Sequence, residues 1–344
     1  MRSWILILVL LGSFSCNNSI SRFEKKSSDK TGVNFKNTLK YTEDFNPYTY
    51  RNFFNGGGVA LGDINNDGLI DIYFTGNIVN NALYLNKGNW KFEDITNSAG
   101  VLCENNWSTG ATFIDINNDG FLDIYVAKSG KPGGPNRHNE LFINQGDLTF
   151  VESSKDYGLD IEGLSVHAAF FDSDGDLDLD AYVLNNSIRS VGTYDLIQDQ
   201  RNISSDDGNK LLENIDNKFK NASSKNGIYS SNIGFGLGIT LSDFNGDLWP
   251  DIFISNDFFE KDYLYLNNNG RGFSEESSTY FDALSMGSMG ADVADMDNDL
   301  IPDLIVTEML PETLSRQKNK QVYESYDKFM LAGSKGYHKQ YPRN

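Results

Sequence analysis

Apolar residues in this chain come in short runs, each broken within a few positions by Gly, Asn, Asp or Ser. Four kinds of run recur in a fixed order. A Phe-led run (FKN at Phe35, FED at Phe92, FVE at Phe150, FKN at Phe219, FSE at Phe273) precedes a Gly/Ala/Val-rich run such as GGGVALGD, TGATFID, VHAAFFD or GLGITLSD. An acidic loop follows, then an aromatic run (DIYF, DIYV, DAYV, DIFI, DLIV). The fourth run ends in asparagine: Leu83–Asn86, Leu141–Asn144, Leu211–Asn214 and Leu264–Asn267. Runs of this length bounded by turn residues read as strands. No stretch before residue 310 sustains a helical period. Four strands per unit, with successive units 52 to 71 residues apart, predict an all-β chain folded as a β-propeller of four-stranded blades. About five blades are present and the last is incomplete.

The acidic loops carry the chemistry. DINNDGLID places Asp63, Asn65, Asp67 and Asp71 at its first, third, fifth and ninth positions, with Gly68 sixth. A hard cation such as Ca²⁺ takes six to eight oxygens from a flexible ligand set. Alternate residues of a tight loop can turn their oxygens inward, and glycine permits the bend. One copy could be an ordinary Asn/Asp/Gly turn. The chain repeats it at Asp115, Asn117, Asp119 and Asp123; at Asp172, Asp174, Asp176 and Asp180; at Asp243, Asn245, Asp247 and Asp251; and at Asp295, Asp297, Asp299 and Asp303. Glycine moves to the fourth position in the third and fourth loops (Gly175, Gly246) and is missing from the fifth, while the ninth carboxylate stays. A turn has no need of that carboxylate and a metal does, so up to five Ca²⁺ are expected. An EF-hand is excluded, because Phe74 and Val126 stand where the twelfth-position Glu belongs and a strand follows.

Those loops explain the charge. Of the formal −19, seventeen aspartates sit at liganding positions, and five Ca²⁺ would bring the balance to −19 + 10 = −9. The acidic balance excludes a nucleic-acid partner, which requires a basic footprint. Residues 1–16 read as an export signal, with Arg2, the apolar run Trp4–Leu11 and Ser13-Phe14-Ser15-Cys16. That run is too short to span a bilayer. It fits a lipoprotein signal with Cys16 lipidated and a destination at the outer membrane or cell surface; Phe14 departs from the usual small residue, leaving a plain secretory peptide as the alternative. Only Cys103 would remain, so no disulfide framework forms. Residues 17–32 read as a polar tether, 33–310 as the repeats, and 311–344 as a helix-compatible insertion leading into a missing blade. A sheet left open at its edge is avoided in nature. The chain is therefore expected to be the N-terminal part of a longer protein, or to be closed by another chain.

Spacing separates two faces. From the fourth-run asparagine to the next Phe the distance is 6, 6, 5 and 6 residues, a fixed hairpin, whereas from the first loop aspartate to that asparagine it is 23, 29, 42 and 24. Antiparallel strands put acidic loops and fixed hairpins on one face. The variable loops Lys128–Asn139 and Asn186–Asn209, with Glu104–Ser108, lie on the other, where binding function usually sits. There Arg137, His138 and Glu140 could hold an anionic or sugar ligand or simply be solvated. Trp107 could be a platform for a sugar ring or blade packing. His167 lies in an apolar run and reads as a core histidine rather than a base. Gly234-x-Gly236-x-Gly238 reads as an inner strand, since no helix follows it as a nucleotide loop requires.

These loops within Phe-led, LYLN-type units resemble the FG-GAP/VCBS repeats of bacterial surface and secreted proteins, related to the calcium-bearing blades of integrin propellers. NGGGVALGD, NELFIN and the ending GYHKQYPRN look more narrowly like a Bacteroidetes-type lipoprotein family whose members often continue into an ASPIC/UnbV-type domain. The resemblance covers Val33 to Asn344 and implies calcium at the same loop positions, commonly seven blades, and weaker or empty sites in loops three to five. No HExxH, Walker or GxSxG motif is present. The expected function is a calcium-stabilised binding or adhesion module with a glycan or protein ligand. A polysaccharide lyase or hydrolase, or a scaffold piece of a larger surface assembly, is the alternative.

Overall fold

The computed structural model describes residues 23–104, 106–131, 134–186, 200–257, 260–309, 311–316, 330, 333–337 and 340–341. The expected export signal, with Cys16, lies outside the described residues. Four antiparallel four-stranded sheets follow one another along the chain. The first holds β1 (Val59–Gly62), β2 (Asp71–Phe74), β3 (Ala82–Asn86) and β4 (Phe92–Asp94); the second holds β5 (Ser108–Ile114), β6 (Asp123–Lys128), β7 (Glu140–Asn144) and β8 (Phe150–Glu152). The third holds β9 (Ser165–Phe171), β10 (Asp180–Asn185), β11 (Lys210–Asn214) and β12 (Phe219–Asn221). The fourth holds β13 (Gly236–Ser242), β14 (Asp251–Asn256), β15 (Tyr263–Asn267) and β16 (Phe273–Glu275). After the short β17 (Leu284–Ser285), β18 (Ser288–Ala294) and β19 (Asp303–Glu308) form a two-stranded sheet, and β20 (Gln340–Tyr341) pairs with β17 in parallel.

First strands pack against first strands: β1 on β5, β5 on β9, β9 on β13 and β13 on β18. Small residues make this approach possible. A Cβ on Gly110 would meet the Val166 carbonyl at 2.5 Å, and one on Gly238 would meet the Gly290 Cα at 3.0 Å. Threonines then reach across, as Thr112 Oγ1 donates to the Ala168 carbonyl at 3.0 Å and Thr240 Oγ1 to that of Ala291 at 3.0 Å. Side chains from facing sheets fill the space between them, Ile124 and Phe150 with Tyr73 and Leu83 in one cluster and Ile252 and Tyr265 with Tyr182 and Leu211 in another. Burial of such residues is worth roughly 1.5–3 kcal/mol each, which suffices to hold neighbouring sheets together.

The order within each sheet corrects the phase of the repeat. Each Phe-led strand is the last strand of its sheet, paired with the LYLN-type strand before it, as in Asn86↔Phe92 and Asn267↔Phe273. Phe35, taken from sequence as the opening of the first unit, lies in no strand and stacks on Phe74 at 5.1 Å instead. The true boundary marker follows the Phe-led strand. It is a helical turn ending in a left-handed glycine: α2 (Thr96–Ala99) with Gly100, α3 (Ser154–Tyr157) with Gly158, and a turn closed by Gly227. A Cβ on Gly158 or Gly227 would strike the Phe219 or Phe273 carbonyl of the next sheet at 2.7 or 2.3 Å. α1 (Ser28–Thr31) with Gly32 (φ +83) makes the same contact with the Phe92 carbonyl at 2.6 Å. The end of the expected tether is thus packed on the first sheet. The fourth sheet is followed by α4 (Ser277–Tyr280), which ends without glycine. Of the expected helical insertion over 311–344, the described residues hold helical turns at 314–316 and 333–334 and the strand β20.

Candidate metal centres and the opposite face

All five aspartate loops share one backbone cage. In each, the first-position carboxylate accepts the sixth N–H: Gly68 to Asp63 at 2.7 Å, Gly120 to Asp115 at 2.9 Å, Leu177 to Asp172 at 3.1 Å, Leu248 to Asp243 at 2.8 Å and Leu300 to Asp295 at 3.0 Å. The third-position oxygen accepts the fifth N–H, and the fifth-position carboxylate accepts the seventh, as Asp67 does from Leu69 at 2.9 Å. Loops three and five gather their carboxylates most closely. Asp172, Asp174 and Asp176, and Asp295, Asp297 and Asp303, each offer oxygens within 4.8 Å of one another. Oxygens bound to one Ca²⁺ at about 2.3–2.6 Å lie no farther apart than about 5 Å, so these donor sets fit such an ion.

The moving glycine acquires a physical explanation. Every loop needs left-handed backbone twice, at the fourth position (Asn66, Asn118, Gly175, Gly246, Asn298) and at the sixth (Gly68, Gly120, Leu177, Leu248, Leu300). Glycine relieves one of the two in loops one to four and neither in loop five. Leucine in this region costs roughly 1–2 kcal/mol, and Leu300 has φ +69 with its side chain 91% exposed. Leu300→Gly is expected to stabilise the chain by about 1 kcal/mol; a lower melting midpoint in a thermal scan would contradict the strain argument.

The ninth aspartate does more than offer an oxygen. Asp71 Oδ2 accepts from the Ile64 N–H at 3.0 Å and Oδ1 from the Asn86 N–H at 2.7 Å, joining the loop to the end of β3. Asp123, Asp180 and Asp251 repeat this clasp with Ile116 and Asn144, Ser173 and Asn214, and Phe244 and Asn267. These four carboxylates are buried. Burial pushes Asp123 up to about 6 against the pull of the Asn144 and Ile116 N–H groups, and Asp71, Asp180 and Asp251 move the same way for the same first cause. In loop three Asp178 rises to about 6 through desolvation and the crowding of Asp176 and Asp180. The strand-ending asparagines, which sequence reasoning left without a role, continue the clasp. Asn144 Nδ2 donates to the Ile64 carbonyl of the neighbouring loop at 2.9 Å, and Asn267 Nδ2 to that of Ser173 at 2.9 Å.

Another asparagine was missed for want of a fixed motif. Asn81, Asn139 and Asn209 accept the N–H of Gly76, Lys128 and Asn185, and the first two donate to Tyr73 and Tyr125. The fourth sheet has Asp262 at this place and Phe253 where the tyrosine was. Asp262 accepts from the Asn256 N–H at 2.7 Å and the Ser288 hydroxyl at 2.7 Å. Burial, with Glu308 adding repulsion, raises it to about 7. The folded state then holds a proton that the unfolded chain releases near pH 4, so this group's contribution to stability is full below about pH 4 and is lost as pH rises to about 7. Asp262→Asn keeps the acceptor and is expected to remove a decline on the order of 2–4 kcal/mol over that window. Denaturant midpoints at several pH values check this, and an unchanged slope would contradict it.

The opposite face departs from the sequence reading. Residues 37–57 cross it. Asn37 Nδ2 donates to Asn77 Oδ1 at 2.8 Å while Asn37 Oδ1 accepts the Asn77 backbone N–H at 2.9 Å, Tyr50 OH meets Ser129 Oγ at 2.8 Å, and the Arg51 guanidinium sits 5.1 Å over the Phe235 ring. Trp107 is no platform: it is buried edge-on against Phe45 and Tyr50. The expected polar trio does not converge. Arg137 is buried and donates to the Gly163 carbonyl at 2.8 Å, His138 is exposed, and Glu140 turns inward to an ion pair with fully buried Lys128 and a hydrogen bond from Cys103 Sγ at 2.8 Å. His167, expected in the core, sits at its margin. It is half-buried, lines a cleft of about 250 Å³ with Asn52, Asn55 and Asn186, and burial lowers its pKa. In the loops, Asn65, Asn117 and Asn245 each donate through Nδ2 to the fifth-position aspartate (Asp67, Asp119 or Asp247). Of the variable loop Asn186–Asn209, residues 187–199 lie outside the described residues.

The chain is 28% identical over 220 residues to cartilage acidic protein 1 of Mus musculus and 27% identical over 220 residues to that of Homo sapiens. Each match covers 64% of this chain and 31% of the relative, so the chain spans about a third of the length of the curated relatives it matches. Among solved structures it is similar to an Agrocybe aegerita lectin described as recognising non-reducing terminal N-acetylglucosamine, at TM-score 0.43 and 15% identity over 75% of this chain and 67% of that one. A V. cholerae biofilm matrix protein aligns at TM-score 0.38 and 17% identity over 77% of this chain and 36% of that one. Residues 63–126 and 243–306 match the family model of the FG-GAP-like repeat. Each match starts on the first aspartate of one loop and ends three residues beyond the ninth position of the next. The chain carries FG-GAP-like repeats, and the aspartate loop is the part that each begins with.

Proposed function

We propose that the chain is a calcium-stapled β-propeller segment acting outside the cytoplasm as a non-enzymatic binding or adhesion module for a glycan or protein. The observation that carries this reading is the single loop cage built five times with carboxylate or amide oxygens at positions one, three, five and nine. Ca²⁺ bound there would neutralise carboxylates that burial and crowding otherwise push toward protonation. The packing of first strand on first strand supports blades arranged about an axis. Similarity to a protein named for cartilage supports export, and lipidation of Cys16 would add attachment at a cell surface or outer membrane. The acidic balance favours no nucleic-acid partner.

The face opposite the loops is the binding surface. Tyr41 and Phe54 flank Phe53 there with 67% and 68% of their surfaces exposed, and Tyr48 is fully exposed. Exposed aromatic rings on a fixed scaffold suit sugar rings and protein anchors. Arg137, His138 and Glu140, the trio weighed for an anionic or sugar ligand, diverge, which leaves these rings as the better candidates on this face. Combined Tyr41→Ser, Tyr48→Ser and Phe54→Ser should leave the melt unchanged and weaken retention on immobilised polysaccharides or matrix proteins by about tenfold or more. Full retention by that variant would remove the face from the account.

A further inference from the structure

We infer that the cleft beside residues 50–58 takes a single neutral sugar ring, an assignment that rests on the binding-module reading and names the group this part of it would hold. The cleft, of about 250 Å³, lies where four sheets meet, at the ends of their first strands away from the aspartate loops. Val59, Thr109, His167 and Leu237 bring one wall position from each of β1, β5, β9 and β13. The segment that crosses beside them is fixed at both ends. Tyr50 OH meets Ser129 Oγ at 2.8 Å and accepts the Gly130 N–H at 3.2 Å, while a Cβ on Gly58 would meet the Thr109 carbonyl at 2.6 Å. The space is therefore built before a ligand arrives, which leaves little ordering cost to binding.

The lining chooses the class of ligand. No Asp, Glu, Lys or Arg lines the cleft. Burial lowers the His167 pKa, so its ring is neutral at pH 7, with one nitrogen donating and the other accepting. Asn52 is 4% exposed and Asn186 is 1% exposed. Neither side-chain amide, nor the His167 ring, has a hydrogen-bond partner among the described residues. Side chains buried to this degree are normally paired. Each of these groups both donates and accepts, as a hydroxyl does. An ionised ligand would lie opposite no countercharge, which is costly out of water. Val59, Val166 and Leu237 add apolar surface for the C–H groups of a ring. Pockets for drug-sized molecules run from about 300 to 1,000 Å³, so a smaller cleft suits one ring and not a chain of them.

The test titrates the methyl glycosides of glucose, galactose and mannose, each beside its uronate counterpart, into the intact chain in about 1 mM calcium. Saturation-transfer NMR reads the binding. At least one neutral glycoside is expected to bind saturably, and its uronate at least tenfold more weakly. Asn52→Leu and His167→Phe should each weaken that binding by about tenfold or more, while Tyr41→Ser, outside the cleft, leaves it unchanged. The uronate comparison needs no variant, so it stands even where a substitution unfolds the chain. No saturable binding by any of the three glycosides, equal binding of the uronate, or undiminished binding by both cleft variants overturns the assignment. If the chain is then still retained on immobilised polysaccharide or matrix protein, only the cleft falls; with no retention either, the binding-module reading falls too.

Discussion

Withdrawing calcium with a chelator is expected to lower the melting midpoint of the chain by about 3–10 °C. Sites of the extracellular class bind at roughly 10⁻⁴–10⁻³ M, so about 1 mM calcium stabilises each by about 0.4–1.4 kcal/mol, and five by about 2–7 kcal/mol. The direction follows from what fills the loops. Asp172, Asp174 and Asp176 hold oxygens within 4.8 Å, and Asp178 beside them is pushed up to about 6. Without a cation these groups repel at neutral pH. Magnesium, which demands shorter octahedral bonds, should restore little of the loss. A melt indifferent to both calcium and chelator would reduce the loops to turns.

Asp123→Ala is expected to cost about 2–5 kcal/mol whether calcium is present or not. Its two oxygens hold the Ile116 and Asn144 N–H groups at 3.1 and 2.8 Å in a buried site. Alanine leaves both donors unsatisfied, and each such donor costs about 1–3 kcal/mol. Asp119→Ala in the same loop is the control. Its carboxylate is exposed and, among the described residues, accepts from the Phe121 N–H at 2.9 Å and the Asn117 amide at 2.8 Å. That variant should lose calcium-dependent stability and leave the chelator melt within about 0.5 kcal/mol of the parent. Equal losses from the two variants in chelator would show that the ninth position is an ordinary ligand and no clasp.

The repeat made much of the fold legible. Five copies of Asp-x-Asp/Asn-x-Asp with a ninth Asp turned an ambiguous turn into a candidate site, and strand types and the two faces followed from spacing. Phase did not follow, because a circular order of four strands carries no mark of which comes first; the glycine-ended turns at Gly100, Gly158 and Gly227 supply it, in segments too variable to align by eye. The glycine reading was also too simple. The cage depends on two left-handed residues, and Asn66 or Leu300 can stand where glycine was expected. Single-copy features stayed hidden. Nothing periodic announces that Tyr50, Phe53 and Trp107 pack together, or that Glu140 turns toward Cys103, since the Tyr50–Trp107 and Cys103–Glu140 contacts join positions 57 and 37 residues apart with no motif between.

The central claim is most directly tested by titrating calcium into the chelator-stripped chain in a calorimeter, beside a variant with Asp63, Asp115, Asp172, Asp243 and Asp295 all changed to Ala. The account predicts saturable uptake approaching five ions per chain, with dissociation constants of roughly 10⁻⁴–10⁻³ M, and none by the variant. No saturable uptake by the parent chain, or equal uptake by both, would contradict it.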